Sequence, residues 1–342
     1  MHRPLRLTID ANAIQSNWRW LSDYSGVPAG AAVKADAYGL GAREATEALI
    51  EAGCRDLFVS TWAEAEALGN LPESVSLVVL HGVGPADVDA AAQLPARPCL
   101  NSVEQVARWK QIAPGRACDV MVDTGMNRLG LRPTEIGALE SLAIDTLHSH
   151  LACADEDSPL NAMQLERFRA VASAVQAKRY ALANSAGIGL GRDYSFDLVR
   201  PGISIYGGIQ RAEFEEGIRQ VARVEAQIVQ RRTIPEGETC GYGATFTARE
   251  DTEAAILNIA YADGYLRGFS SHGSAFAGEY ALPVLGRVSM DLIAVGVDAV
   301  PGLKEGDWVE IDYDLPSASQ QSGLSQYELL TALGSRFERV WK

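Results

Sequence analysis

The stretch Ala29-Gly30-Ala31-Ala32-Val33-Lys34-Ala35-Asp36-Ala37-Tyr38-Gly39-Leu40-Gly41 governs how the rest of the chain is read. It opens with small apolar residues that suit a parallel strand buried on both faces, here Ala31–Ala35. Lys34 interrupts that run, and a Gly-rich turn follows. Lysine is seldom buried without a reason, and the carboxyl end of a parallel strand is where α/β folds keep their chemistry. Burial disfavours the ammonium and frees the amine, and a neutral amine adds to carbonyl compounds. A plainer reading has the stem of Lys34 covering a barrel rim with its charge in water.

Working outward, short apolar runs alternate with segments of helical spacing up to about residue 217. The further strands expected are Leu57–Ser60, Ser76–Leu80, Pro98–Asn101, Asp119–Val122, Leu147–Leu151, Tyr180–Asn184 and Ile203–Tyr206. Helices are expected over Arg43–Ala52, Thr61–Leu68, Ser102–Gln111 and Asn161–Lys178, with Thr61 and Ser102 as N-caps. This alternation implies an α/β fold, a parallel (β/α)8 TIM-type barrel. An open doubly wound sheet is the rival, but no G-x-G-x-x-G opens a helix. From about residue 221 the pattern turns to β, with Val221–Arg231, Ala254–Ile259, Pro283–Leu285, Leu292–Val297 and Trp308–Ile311 as strands. Only Ser325–Leu333 is again helical in pattern. The division is a barrel domain over 1–217 and a C-terminal mostly-β domain over 218–342, with the joint in Gln210–Gly217. The first strand is left free to pack with the β domain.

The bulk properties bound the function. The 342 residues carry 30 basic and 44 acidic side chains, a net charge of −14. That argues against nucleic acid or an anionic membrane as the partner. No early basic-plus-apolar leader and no apolar run of membrane-spanning length is legible. Five cysteines without C-x-x-C spacing make a disulfide framework unlikely and the cytoplasm the expected compartment.

Polar clusters recur at the expected strand ends. Asp123-Thr124-Gly125-Met126-Asn127-Arg128-Leu129-Gly130 combines a tight turn with a fork-shaped donor, Arg128. His148-Ser149-His150 puts both imidazoles on one strand face. No third ligand completes a metal set, so a hydrogen-bonding histidine is preferred over a metal ligand. Asn184-Ser185-Ala186-Gly187 and Arg200-Pro201-Gly202-Ile203 offer hydroxyl and backbone N–H groups of the kind that cradle phosphate. In the β domain, Gly241-Tyr242-Gly243 flanks a tyrosine with flexible residues. Each is weak alone; an ordinary turn explains several.

In chain order these segments resemble the alanine racemase family of pyridoxal phosphate (PLP) enzymes: AVKADAYGLG, DTGMNRLG, HSHLACADE, NSAG, VRPGISIYG, GYGATFTA, YADGYLRG, GRVSMD and the late Tyr327-Glu328. The resemblance spans nearly the whole chain. It implies a PLP-binding barrel joined to a β domain, acting as a head-to-tail homodimer with shared active sites. It assigns Lys34 to PLP attachment. Tyr38, Ser185, Tyr327 and the Gly202 and Ile203 amides fall to the phosphate, Arg200 to the pyridine nitrogen, and His150 to the space beneath the ring. Arg128 and Met290 fall to the substrate carboxylate. Asp155, Tyr261, Arg267 and Arg287 fall to the entryway. Lys34 and Tyr242, the latter from the partner subunit, are the expected acid–base pair. Burial is expected to lower the pKa of Lys34, and neighbouring positive charge that of Tyr242. One position departs from the pattern: Met121 stands where many relatives carry a modified lysine that orients the Arg128 equivalent.

The activity implied is interconversion of L- and D-alanine, for peptidoglycan supply or alanine catabolism. The alternatives are a racemase of serine or a broader range of amino acids, a barrel-type PLP decarboxylase, and a PLP carrier without turnover.

Overall fold

Seven of the apolar runs become parallel strands in the computed structural model, which describes residues 2–342. They are Ala31–Ala32, Asp56–Val59, Ser76–Val79, Arg97–Leu100, Cys118–Met121, Ile144–His148 and Arg179–Ala181, paired in chain order. The register is regular where both faces are buried, as in Leu57↔Leu77 and Phe58↔Val78. Helices fill the crossovers. Thr61 and Glu64 form a capping box ahead of Trp62–Leu68, and Ser102 caps Val103–Ile112. Ser158 caps Pro159–Ala174, where proline takes a first-turn position that needs no N–H.

The eighth strand differs from expectation. Ile203–Tyr206 is a 3-10 helix rather than a strand. Pro201 has no N–H with which to extend a ladder. The amides of Gly202 and Ser204 donate instead to Ser185 Oγ, at 2.9 and 3.3 Å. Residues 199–201 take the eighth position: Gly30 N and Ala32 N donate to Val199 O and Pro201 O, each at 2.9 Å, and Arg200 N donates to Ala183 O at 2.9 Å. Bridges Ala29↔Val199 and Asn184↔Arg200, both parallel, join the two ends of the sheet and close the ring. Ile203, Ile205 and Tyr206 are buried, so this helix reads like a strand in sequence.

This barrel unit comprises residues 14–37 and 41–219. Its ends are tied by Asn17, which is fully buried. Asn17 Nδ2 donates to Ile205 O and Arg219 O, and its Oδ1 accepts from Arg219 N.

The other unit takes in residues up to Ala13, 38–40, and Gln220 onward. Its centre is the long strand Ala222–Ile234, which pairs antiparallel with Leu5–Ile9, Thr252–Leu257 and Trp308–Ile311. Leu5–Ile9 also pairs in parallel with Glu338–Trp341. The helix expected over Ser325–Leu333 is Gln326–Thr331, closed by a Ser325/Glu328 capping box. A second helix, Leu315–Ser322, was not expected. Its sequence LPSASQQS is polar enough to read as a turn, and only Leu315 and Ala318, one helical turn apart, are buried. Among the described residues no helix is long and apolar enough to cross a membrane.

Candidate active site

The chain does not continue as a strand through Lys34. Ala35, Asp36, Ala37 and Tyr38 all have left-handed backbone angles, with φ of 52, 54, 52 and 58°. Four consecutive side-chain-bearing residues in this region cost about 1–2 kcal/mol each, so the surrounding bonds must impose the shape. Ala37 N donates to Val33 O at 3.0 Å, and Gly41 N to Asp36 O at 2.9 Å. Asp36 Oδ1 accepts from Ala42 N at 2.7 Å. Glu64 supplies a tether from elsewhere. Its Oε1 accepts from Ala35 N at 2.8 Å, while Oε2 accepts from Ser60 N at 2.6 Å and Thr61 N at 3.0 Å.

Lys34 therefore sits at a sharp reversal, half-buried at the carboxyl end of its strand. Burial lowers its pKa most, Arg128 adds to that, Glu64 opposes it, and Arg200 lowers it further. His150 is brought to the same place. Burial, then Arg200, Arg128 and Lys34, drive its pKa down to about 3, so its ring is neutral at ordinary pH. Arg200 is fixed by two carbonyls: Nη1 donates to Ala181 O at 2.8 Å and Nη2 to Ser149 O at 2.6 Å. Burial lowers its guanidinium to about 10, which still leaves it charged at neutral pH.

Arg128 is presented by a loop built on Asp123. Asp123 Oδ1 accepts from the amides of Gly125, Met126 and Asn127 at 2.9, 3.0 and 3.1 Å. Behind it, Arg167 Nη1 donates to Thr124 O at 3.0 Å, and Thr124 Oγ1 lies 2.8 Å from Ser149 Oγ. These bonds fix the loop without a polar side chain at residue 121, whose backbone carbonyl accepts from Leu131 N at 2.9 Å. Met121 is buried, and its Cγ would lie 3.1 Å from a Cβ on Gly130. The Asp-x-Gly turn, a signal present in the sequence, thus holds the backbone that carries Arg128.

His148 and His150 do not share a strand as expected: the strand ends at His148, and His150 lies two residues beyond it. His148 Nε2 is 2.8 Å from Asp119 Oδ2 and the residue is fully buried. Among the described residues no group of three His, Cys, Asp or Glu is arranged to hold a metal ion. Beside these groups, Ser185 Oγ gathers the Gly202 and Ser204 amides, Asn184 Oδ1 accepts from Gly187 N at 2.8 Å, and Ser204 Oγ is buried without a partner. Asp155 is exposed on the loop after the Ile144–His148 strand.

The remaining expected residues belong to the other unit. Tyr38 is buried with its ring centroid 6.2 Å from that of Tyr327. Tyr242 is 71% exposed between Gly241 and Gly243, whose φ values of 77 and 74° require glycine. A Cβ on Gly243 would lie 3.2 Å from Arg287 Nη1. The Arg267 guanidinium lies 5.4 Å from the centroid of the Tyr261 ring. Met290 is 56% exposed, and its carbonyl accepts from Ala262 N at 3.0 Å.

Comparison with known proteins agrees along the whole chain. A family model described as alanine racemase, N-terminal domain, matches residues 9–210, and one described as alanine racemase, C-terminal domain, matches 221–341. The catabolic alanine racemase of Agrobacterium fabrum is 40% identical, over 98% of this chain and 91% of that protein. The biosynthetic alanine racemase of the same organism is 38% identical, over 99% and 94%. Among solved structures, alanine racemase from Bartonella henselae with covalently bound pyridoxal phosphate superimposes with a TM-score of 0.92, at 35% identity and full coverage of both chains.

Proposed function

The chain belongs to the alanine racemase family of PLP-dependent isomerases, and on that premise we propose that it interconverts L- and D-alanine with Lys34 and Tyr242 as the acid–base pair. The observation that carries this is the collection of cationic and neutral groups around Lys34. Arg128 and Arg200 are charged and His150 is neutral. The one carboxylate acting on Lys34, Glu64, is already engaged with three backbone amides.

These residues fit PLP by their chemistry. A dianionic phosphate suits the amides of Gly202 and Ile203, the hydroxyl of Ser185 and the orphaned Ser204 Oγ. Tyr38 and Tyr327 are proposed to join them. Lys34, with its lowered pKa, would hold the aldehyde carbon, and Arg200 would face the pyridine nitrogen. When bound, the cofactor supplies an electron sink for charge developing at the α-carbon. Arg200 keeps its own proton at neutral pH and so does not hand one to that nitrogen. Arg128 and the Met290 amide orient the substrate carboxylate. Lys34 Nζ moves a proton on one face of the α-carbon and the Tyr242 hydroxyl on the other, each acting as base in one direction and acid in reverse. Asp155, Tyr261, Arg267 and Arg287 line the way in.

Tyr242 is read as serving a second copy. Its 71% exposure and the 56% exposure of Met290 are large for such residues and support a partner that covers them. The five cysteines are free, which suits a reducing, cytoplasmic compartment.

Racemisation of L-alanine in D₂O with PLP tests the activity. D-alanine carrying α-deuterium is expected. Release of CO₂, faster turnover of serine, or bound PLP without turnover would move the function to the decarboxylase, broader-racemase or carrier reading. Mixing the inactive Lys34→Ala and Tyr242→Phe proteins tests the shared site. Random pairing makes half the dimers mixed, each with one intact site, so about a quarter of normal activity should return. No recovery would refute sharing.

A further inference from the structure

Glu64 is placed by the sequence as the third residue of a helix start, and a capping box accounts for half of what it does. Thr61 Oγ1 accepts from Glu64 N at 3.2 Å, and Glu64 Oε2 accepts from Thr61 N at 3.0 Å. The same oxygen accepts from Ser60 N at 2.6 Å. Those bonds complete the cap. The other oxygen, Oε1, leaves the helix and accepts from Ala35 N at 2.8 Å. Ala35 is the residue directly after Lys34 and the first of four in left-handed backbone. Ala35 is also exposed, so water would otherwise compete for that amide. A capping carboxylate needs only one oxygen at the helix; the second is committed to the turn that aims Lys34.

We infer that Glu64 is a positioning residue for Lys34, clamping the left-handed turn at Ala35 so that Nζ is held where its proton transfer requires. This rests on the role proposed above for Lys34. The chemistry of the clamp calls for a carboxylate. Three N–H donors converge on two oxygens, so both ends of the side chain must accept. An amide presents its NH₂ to one of the donors, and an aspartate is one methylene too short to span both segments. With the clamp open, the strained turn can relax toward ordinary backbone angles and carry Lys34 with it. A displacement of about 1 Å at a reacting group costs on the order of 100-fold in rate.

The test compares Glu64→Gln, Glu64→Asp and Thr61→Ala in the full-length protein with PLP bound. Thr61→Ala loosens the helix cap but leaves the Glu64–Ala35 bond. Both Glu64 variants should lose about 10- to 100-fold in kcat, with KM for alanine changed by less than about twofold. Amide hydrogen exchange in a peptide spanning residues 33–41 should rise in the Glu64 variants and not in Thr61→Ala. Thr61→Ala should keep kcat within about twofold. Equal losses in Thr61→Ala and Glu64→Gln would reduce Glu64 to a helix cap and overturn the inference. So would unchanged exchange at 33–41 in Glu64→Gln. If the unmutated protein does not racemise alanine, the fault lies with the proposed function; the exchange result still decides whether Glu64 clamps the turn.

Discussion

The two ends of the barrel treat charge in opposite ways. At the amino-terminal ends of the strands, charges are paired. Arg179 Nη1 and Nη2 bond both oxygens of Asp56 at 2.9 and 2.8 Å, and Nη2 also reaches Asp145 Oδ1 at 2.8 Å. Arg97 bridges Asp119 at 3.0 Å and Asp145 at 3.2 Å. At the carboxyl ends, Arg128 and Arg200 both act on Lys34, and the nearby carboxylate of Glu64 faces backbone amides. The Asp56–Arg179 bridge also joins strands that are not neighbours in the sheet. One end resembles a staple and the other a socket for anions. The lesson is that a buried charge is informative by what it lacks. Paired charges tie the ring, while cations that no carboxylate bridges mark the place where a ligand completes the balance.

The largest effect that can break this contrast comes from the socket. Lys34→Ala should lower racemisation by about 10⁴-fold while leaving the urea midpoint unchanged or raised, since it removes a charge held out of water. A stability loss without an activity loss would make Lys34 a structural residue. Asp56→Ala attacks the staple. Leaving Arg179 with Asp145 alone should cost about 3 kcal/mol of stability, read as a lower urea midpoint, with the folded protein's kcat little changed. A collapse of kcat at unchanged stability would blur the two ends.

The smallest effect is in pH. Burial raises the Asp145 pKa, but Arg97 and Arg179 outweigh it and hold the carboxyl below its ordinary value. Its contribution is therefore complete above about pH 4, the unfolded value, and is lost as pH falls through the lower folded one. His148, fully buried, and His150, half-buried, both have a lowered pKa, chiefly because burial disfavours the charged ring. The unfolded chain binds their protons first, so stability should begin to fall below about pH 6.5 and fall again below about pH 4. Urea midpoints measured across that range check both steps. Stability rising as pH falls through 6.5 would mean that these histidines are charged in the fold.

The barrel was legible in sequence because its strands are buried on both faces and bounded by capped helices, as at Thr61 and Ser102. Ile203–Tyr206 misled because buried apolar residues in a short helix look like a strand. The left-handed turn after Lys34 was illegible for a different reason. Ala35, Asp36, Ala37 and Tyr38 carry no glycine signal, and one of the bonds that hold the shape comes from Glu64, remote in sequence. Glu64 itself was visible only as a cap. The loop carrying Arg128 was more open to reading, since Asp123-Thr124-Gly125 announces a side-chain-organised turn. The groups around Lys34 come from four separate motifs, and only the closed ring brings them together.

The central claim is that the chemistry converges on Lys34. Borohydride reduction of the PLP-bound protein, followed by peptide mapping, tests it directly. The chain offers five lysines: Lys34, Lys110, Lys178, Lys304 and Lys342. Reduced cofactor on Lys34 alone is the result predicted here. Cofactor fixed to one of the other four, or to none, would contradict it.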